Sequence, residues 1–139
     1  MTTGRHVLFL VFLALALACG ACAGTVDPAA LAPSPKPGVE RFLVAPDTAE
    51  VLLAESFPVQ VRLEVTGELP DPCATLGWLV PPGDDQGRIQ LSLFMDRPTD
   101  AACIQVVTPF AATIPLGTFE RGSYAVFVNG TQVADFVLP

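Results

Sequence analysis

The strongest constraint on the fold is a strict alternation of apolar and polar positions between residues 57 and 66. Five apolar residues occupy every second position, and polar residues or proline fill the positions between them. Successive side chains of a β-strand point to opposite faces, so this pattern places all five apolar groups on one face. Residues 87–96 repeat the pattern, with Phe94 as an exception on the polar face. Each such strand has to bury one face against a second layer.

Turns rich in proline, glycine and aspartate separate the apolar runs at regular intervals. Beyond residue 38, no proline-free window of ten or more residues has a helical period. The chain is therefore predicted to be all-β, an antiparallel β-sandwich of seven to eight strands, with a closed barrel as the alternative. Nine runs are the candidates for these strands, namely 39–44, 49–54, 57–66, 74–80, 87–96, 103–108, 111–117, 123–129 and 131–138, and the alternative counts the first two as one bent strand.

Residues 115–138 combine two turn signals near the end of the chain. Gly122 and Tyr124 form a Gly-x-Tyr turn, and Asn129 and Gly130 tolerate the positive φ that a type I′ hairpin turn demands. This stretch resembles the closing hairpin of bacterial immunoglobulin-like surface domains. The resemblance implies an immunoglobulin-like β-sandwich and carries no implication about activity.

Residues 1–18 have the composition of a secretory signal. Arg5 and His6 precede an unbroken apolar run over residues 7–18. A helix of that length reaches about 18 Å, well short of a hydrocarbon core of about 30 Å, which favours a signal peptide over a transmembrane helix. The predicted organisation is a signal peptide at 1–18, a Pro/Ala-rich tether at 19–38 and a β-sandwich domain at 39–139.

Two cysteines follow the apolar run and leave three cleavage sites open. The residues that end in Cys19 resemble the lipobox of bacterial lipoprotein precursors, in which a lipid is attached to the cysteine thiol before cleavage. Cys22, also preceded by small residues, is the alternative lipidation site, and cleavage before Gly24 would release a soluble secreted protein. We expect a cell-envelope protein outside the cytoplasm, anchored to the membrane through an N-terminal lipid, with soluble secretion as the alternative.

Cys73 and Cys103 are the two cysteines of the predicted domain, and an oxidising compartment favours a disulfide between them. Cys73 lies only five residues before Trp78, closer than the corresponding pair of true immunoglobulin domains. The bond is therefore expected to hold a loop or an edge strand rather than to join the two sheet centres. The domain has no histidine and no Cys-x-x-Cys pair, so no metal or cofactor is predicted.

The charge of the chain excludes nucleic acid as a predicted partner. The formal net charge is −7, and no cluster or stripe of basic residues occurs. Catalysis is not predicted either, because a serine nucleophile would have no histidine beyond His6, and the single lysine, Lys36, lies in the tether. We therefore expect a non-enzymatic binding or structural module whose partner is an envelope protein or an extracellular ligand.

Two alternatives depend on the loops. Four aspartates, at positions 84, 85, 96 and 100, would have to converge for a calcium site or a carboxylate-based hydrolase. A secreted protease inhibitor would instead use an exposed rigid loop such as 81–87. For the binding module itself, Trp78 beside a proline pair and Phe94 on the polar face are the candidate contact surface, although core burial is the ordinary role of a tryptophan.

Overall fold

The computed structural model describes residues 34–84 and 86–139, and this part of the chain forms eight β-strands in two sheets. Within those residues no helix has the length and apolar character needed to span a bilayer. The predicted signal peptide and the candidate sites at Cys19, Cys22 and Gly24 lie outside them. The strands are β1 Val39–Leu43, β2 Thr48–Leu53, β3 Gln60–Leu69, β4 Thr75–Leu79, β5 Arg88–Pro98, β6 Thr108–Thr118, β7 Gly122–Val128 and β8 Thr131–Leu138.

The larger sheet is built around β5, the long central strand. β4 lies along one side of β5, and β1 and β7 lie end to end along its other side. β1 pairs with the second half of β5 and β7 with the first half, and β8 extends the sheet beyond β7. The β5–β7 pair is parallel, whereas the other pairs are antiparallel. The predicted sandwich is confirmed, but it is not wholly antiparallel.

The smaller sheet has the order β2-β3-β6. β2 contacts β8, so the two sheets approach each other along that side of the sandwich. β4 and β6 are the edge strands on the opposite side, which we call the open side. The core lies between the sheets, where alternate residues of β3 and β5 are joined by buried residues of β6, β7 and β8.

The alternation in the sequence produces this core directly. Val61, Leu63 and Val65 on β3 are almost completely buried, and so are Leu91 and Leu93 on β5. Full burial of such a side chain contributes about 1.5–3 kcal/mol, so these strands carry much of the stability of the fold. The polar residues between them on β3 face solvent.

Two connections cross between the sheets at the same end of the molecule, and the disulfide joins them. Cys73 lies in the β3–β4 connection and Cys103 in the β5–β6 connection, and their bond closes a separation of 30 residues. Asp71, only 1% exposed, accepts a hydrogen bond from the backbone N–H of Cys73 at 3.0 Å and pairs with Arg97 at 2.7 Å. The predicted disulfide is confirmed, and it holds a loop as expected.

The predicted hairpin between the last two strands is also confirmed. Asn129 has φ 51° and Gly130 has φ 82°, so both central residues adopt the positive φ of a type I′ turn. β7 and β8 pair on either side of this turn.

Three strand predictions are wrong. Residues 103–108 do not form a strand of their own, because the disulfide holds Cys103 in a crossover and pairing with β3 begins only at Thr108. β3 begins at Gln60 rather than at residue 57, since Phe57 lies in the preceding loop with its side chain in solvent. The first two strands are not one bent strand, because β1 and β2 belong to different sheets.

The sandwich has two distinct ends. Residues 34–38, 70–74 and 99–107 lie at one end, which we call the tether end, where Gly38 accepts a hydrogen bond from Thr99 at 3.1 Å. The connections 54–59, 80–87 and 119–121 lie at the other end, which we call the pocket end. The 11 residues of β5 run between the two ends, a distance of about 36 Å at roughly 3.3 Å per residue.

Candidate binding site

A cavity opens at the pocket end, between the β4–β5 loop and the β6–β7 connection. Its volume is about 650 Å³. A second, more apolar cavity of about 410 Å³ lies beside it and shares Gly83, Ile89, Thr118 and Phe119 with it. Together they make the pocket end a concave surface bordered by the β4–β5 loop and the β6–β7 connection.

Asp84 shapes the β4–β5 wall of this surface. One carboxylate oxygen accepts hydrogen bonds from the backbone N–H groups of Gln86 at 3.0 Å and Arg88 at 2.9 Å. The other oxygen accepts a bond from the Arg88 guanidinium at 2.7 Å. The backbone N–H of Arg88 is the main reason that the pKa of Asp84 lies below its ordinary value, with the guanidinium adding to the effect. Asp84 is therefore a turn-forming carboxylate, as aspartate commonly is in loops.

Gly87 allows the loop to meet β7 closely. It has φ 72°, and a Cβ at this position would lie 2.6 Å from the carbonyl oxygen of Ser123. The carbonyl of Gly87 accepts a hydrogen bond from Ala125 at 3.0 Å, which begins the parallel pairing of β5 with β7. A side chain at residue 87 would push the two walls of the cavity apart.

An aromatic cluster forms the opposite wall. The rings of Phe119, Tyr124 and Phe136 lie with their centroids 5.0–5.9 Å apart. The hydroxyl of Tyr124 donates a hydrogen bond to the carbonyl of Glu120 at 3.0 Å, four residues upstream. This contact is similar to the tyrosine corner of immunoglobulin-like domains and fixes the β6–β7 connection. The position of Phe119 at the cavity therefore depends on Tyr124.

The cavity combines aromatic surface with hydrogen-bonding groups. Phe119 and Tyr124 contribute the rings, and Gln86, Arg88 and Glu120 contribute an amide, a cation and a carboxylate. Binding sites typically pair apolar surface with a few convergent polar groups in this way. Ser123 also lines the cavity, but the described domain holds no histidine that could activate its hydroxyl. The arrangement is suited to binding a polar ligand.

The three described aspartates do not converge, which contradicts the basis of the calcium and hydrolase alternatives, and Asp96 lies in strand β5 rather than in a loop. Asp84 precedes β5 at the pocket end, whereas Asp96 lies near the far end of β5, in an ion pair with Arg41. Asp100 is exposed in the connection that follows β5, and the placement of Asp85 lies outside the described residues. Strand β5 separates two of the three described carboxylates, so they cannot share one ion.

One group of metal-type ligand atoms occurs among the described residues, formed by Asp71, Cys73 and Cys103. The sulfur atoms of Cys73 and Cys103 are bonded to each other, and both carboxylate oxygens of Asp71 already accept hydrogen bonds. These groups hold the crossovers together and leave no free ligand set.

The two residues of the predicted contact surface have different environments. Trp78 is 41% exposed, so the ordinary role of a core tryptophan does not apply. Phe94 is only 7% exposed, so the prediction that it lies on an accessible surface is wrong. Its ring is covered by the Arg41 guanidinium, 3.8 Å above the centroid, and lies against the bare backbone of Gly77. Neither residue lines the cavities of the pocket end.

The sequence singles out Asp84 and Tyr124 for other roles but does not indicate that they line one cavity, because the signal for the cavity is weak and local. The four-residue spacing between Glu120 and Tyr124 matches a tyrosine corner and could have located one wall. Gly87 directly before a strand could have indicated a close backbone approach. Phe119, by contrast, does not stand out from the apolar residues around it.

Comparison with known proteins gives a family for the fold. A family model described as the ORF11 beta-sandwich domain matches residues 63–138, which is more than half of the chain and includes β4 to β8 and most of β3. The chain belongs to the ORF11 beta-sandwich domain family. The matched region contains the disulfide, both walls of the cavity and the closing hairpin.

Similar curated proteins come from Herpetosiphon aurantiacus. The uncharacterized 10.2 kDa protein in the HgiCIIM 5′ region is 32% identical over 89 residues, which cover 63% of this chain and 94% of that protein. The uncharacterized 10.2 kDa proteins in the HgiBIM and HgiEIM 5′ regions are each 34% identical over 82 residues, covering 57% of this chain and 96% of those proteins. No solved structure matches the chain.

Proposed function

We propose that this protein is an exported, non-enzymatic binding module that is anchored to a membrane through a lipid on Cys19 and binds its ligand at the pocket end. The observation that carries the proposal is the position of the two ends. Val39 pairs with Pro98 at the tether end, and the cavity begins beside Arg88 at the other end of β5. If a lipid is attached before the tether, the cavity lies further from the anchor than the tether end does. The difference is the length of β5, about 36 Å at about 3.3 Å per residue.

The exposed surface of the pocket end also supports binding. Phe57, on the β2–β3 loop, is fully exposed, although burial of a phenylalanine contributes about 1.5–3 kcal/mol. It lies at the same end as the cavity lined by Phe119 and Tyr124. Exposed aromatic residues around a concave surface are typical of recognition sites.

The anchor is tested by mass spectrometry of the mature N-terminus from the producing bacterium. We expect a diacylglyceryl mass on Cys19, and we expect Cys19→Ser to move the protein from the membrane fraction to the soluble fraction. Cys22→Ser is the matched control and should remain in the membrane. A mature chain that begins at Gly24 with no lipid would contradict the anchor.

The binding end is tested by photo-cross-linking in intact cells. Benzoylphenylalanine replaces Phe57 at the pocket end or Ile104 at the tether end, both of which are exposed apolar positions. We expect a discrete adduct from residue 57 and no corresponding adduct from residue 104. Identical adducts from both positions, or none from residue 57, would overturn the assignment of the binding end.

A further inference from the structure

The strands at the edges of the two sheets differ in how they are protected against pairing with another chain. β1 carries Glu40, β2 carries Glu50 and β8 carries Asp135, and a charge on an edge strand opposes pairing with a foreign strand. β6 carries Pro109 and Pro115. β4, with the sequence TLGWL, has neither a charged residue nor a proline. Among the described strands that lie at a sheet edge, β4 alone lacks such protection.

The prolines of β6 limit hydrogen bonding at its outer edge. β6 hydrogen-bonds to β3, and a proline within a sheet is accommodated where its nitrogen faces away from the neighbouring strand. Pro109 and Pro115 therefore leave two outward positions of β6 without an N–H donor. Ala111 and Thr113, between them, keep outward donors.

The hydrogen bonds of β5 show which residues of β4 direct their backbone N–H and C=O groups away from the sheet. The carbonyls of Leu91 and Leu93 accept hydrogen bonds from Asn129 and Val44, so odd-numbered residues of β5 bond toward β1 and β7. The even-numbered residues therefore bond toward β4, where their register partners are Thr75, Gly77 and Leu79. The N–H and C=O groups of Leu76 and Trp78 consequently point to the open side, where no described strand pairs with them.

Trp78 is exposed at the same edge. It lies opposite Leu93, whose side chain is fully buried between the sheets, so the indole extends from the inner face. Because no described strand lies beyond β4, 41% of Trp78 stays in contact with solvent. The edge thus presents an unpaired backbone and an incompletely covered aromatic side chain together.

We propose that β4 pairs antiparallel with β4 of a second copy of this chain, with Gly77 on the two-fold axis. Leu76 of each copy then lies opposite Trp78 of the other, and these two pairs exchange four backbone hydrogen bonds. Each Trp78 gains an apolar neighbour across the new pair. Thr75 lies opposite Leu79 on the other face of the extended sheet.

The centre of this register suits glycine. Gly77 meets its own copy at a non-hydrogen-bonded position, where Cα atoms approach to about 4.5 Å. The space beside Gly77 on the outer face of the sheet is already occupied, because a Cβ at residue 77 would overlap the ring of Phe94. The strand has no charge, so the pairing brings no like charges into opposition.

A second copy fits this edge better than a foreign peptide because the five-residue strand is complementary to itself about its central residue. The net charge of −7 lies elsewhere on the chain and repels a second copy at long range. Added salt screens that repulsion, so we expect association to strengthen between low salt and 0.5 M salt.

The test measures self-association of the purified chain by sedimentation from 10 µM to 1 mM. We expect a monomer–dimer equilibrium, with a blue shift of tryptophan emission as the concentration rises, because Trp78 is the only tryptophan. Trp78→Lys should weaken the dimer at least tenfold. Leu52→Lys is the matched control on edge strand β2, where the 38% exposed leucine resembles Trp78, and should change association less than twofold.

Amide hydrogen exchange of the unmodified protein tests the pairing without any variant. The amides of Leu76 and Trp78 should exchange more slowly as the concentration rises, while those of Ala111 and Thr113 on β6 should not change. Three results would each overturn the proposal. They are a protein that stays monomeric up to 1 mM, an equal loss of dimer affinity in the two lysine variants, and protection of amides on β6 instead of β4.

Discussion

At the scale of single residues, Asn129 joins three strands through one side chain. Its amide nitrogen donates to the carbonyls of Val44 at 2.8 Å and Leu93 at 2.9 Å, and its oxygen accepts from the N–H of Leu93 at 3.0 Å. It therefore fills the gap between the end of β1 and the end of β7, where neither strand pairs with β5. The same residue provides the positive φ of the hairpin turn.

Asn129→Asp should reveal the contribution of this side chain. The substitution keeps the size and the tolerance of positive φ but removes both donors and places a carboxylate opposite two carbonyls. We expect the free energy of unfolding to fall by about 2 kcal/mol in urea denaturation, the usual cost of leaving buried polar groups unpaired.

Asn129→Gly separates the side chain from the turn. Glycine accepts φ 51° without strain, so a loss of about 1–2 kcal/mol in this variant would come from the missing hydrogen bonds alone. A glycine variant as stable as the original protein would show that Asn129 acts only through its turn conformation.

At the scale of strands, β1 is attached to β5 by backbone pairing and by one charged pair. Arg41 donates two hydrogen bonds of 2.6 Å to the carboxylate of Asp96 and stacks on Phe94. The hydrogen bond from Arg41 holds the pKa of Asp96 below its ordinary value, and the Asp96 carboxylate raises the pKa of Arg41. The attachment of this edge strand therefore depends on pH.

Asp96→Asn should destabilise the protein at neutral pH but not in acid. A carboxyl whose pKa is lowered by folding contributes stability above its unfolded pKa of about 3.9, and this contribution is lost as pH falls through the folded pKa. We expect a difference of about 1 kcal/mol at pH 7, since solvent reaches 30% of the side chain, and the difference should vanish once the pH falls below the folded pKa of Asp96. Asp100→Asn is the control. If Asp96→Asn lost the same stability as this control at every pH, the assignment would be contradicted.

The sequence predicts the positions of the strands better than it predicts which side chains pack over them. Alternation identified β3 because it has one buried face, and it identified β5 although Ser92 and Phe94 are also buried on the other face of that strand. The Asn-Gly turn identified the last hairpin. Phe94 was misplaced because its cover, Arg41, comes from a distant strand. Residues 103–107 are mostly apolar and imitate a strand, but no described strand pairs with them. The cavity arises only where two distant loops meet.

At the scale of the whole molecule, the chain passes between the sheets repeatedly, and the disulfide joins two of these passages. β3 to β4 and β5 to β6 both cross at the tether end. The bond between Cys73 and Cys103, with the ion pair between buried Asp71 and partly exposed Arg97, keeps the two sheets in position on the open side. This arrangement supports the sandwich where β4 and β6 have no outer neighbours among the described strands.

Replacing both cysteines of this bond by serine should destabilise the whole domain. The bond closes a loop of 30 residues, for which the chain-entropy model gives about 3–4 kcal/mol. Guanidinium unfolding should show this loss, and reduction of the original protein should reproduce it without any substitution. A loss below about 1 kcal/mol in both experiments would show that the crossovers are held mainly by Asp71 and Arg97.

The aromatic content gives the molecule two separate optical reporters. The chain has one tyrosine and one tryptophan, and Tyr124 lies in the aromatic cluster of the pocket end while Trp78 lies on the open side. Their near-ultraviolet circular dichroism bands differ in wavelength, so one spectrum registers a disturbance at either location. A ligand in the cavity would alter the tyrosine band, and contact along β4 would alter the tryptophan band, without any label attached to the protein.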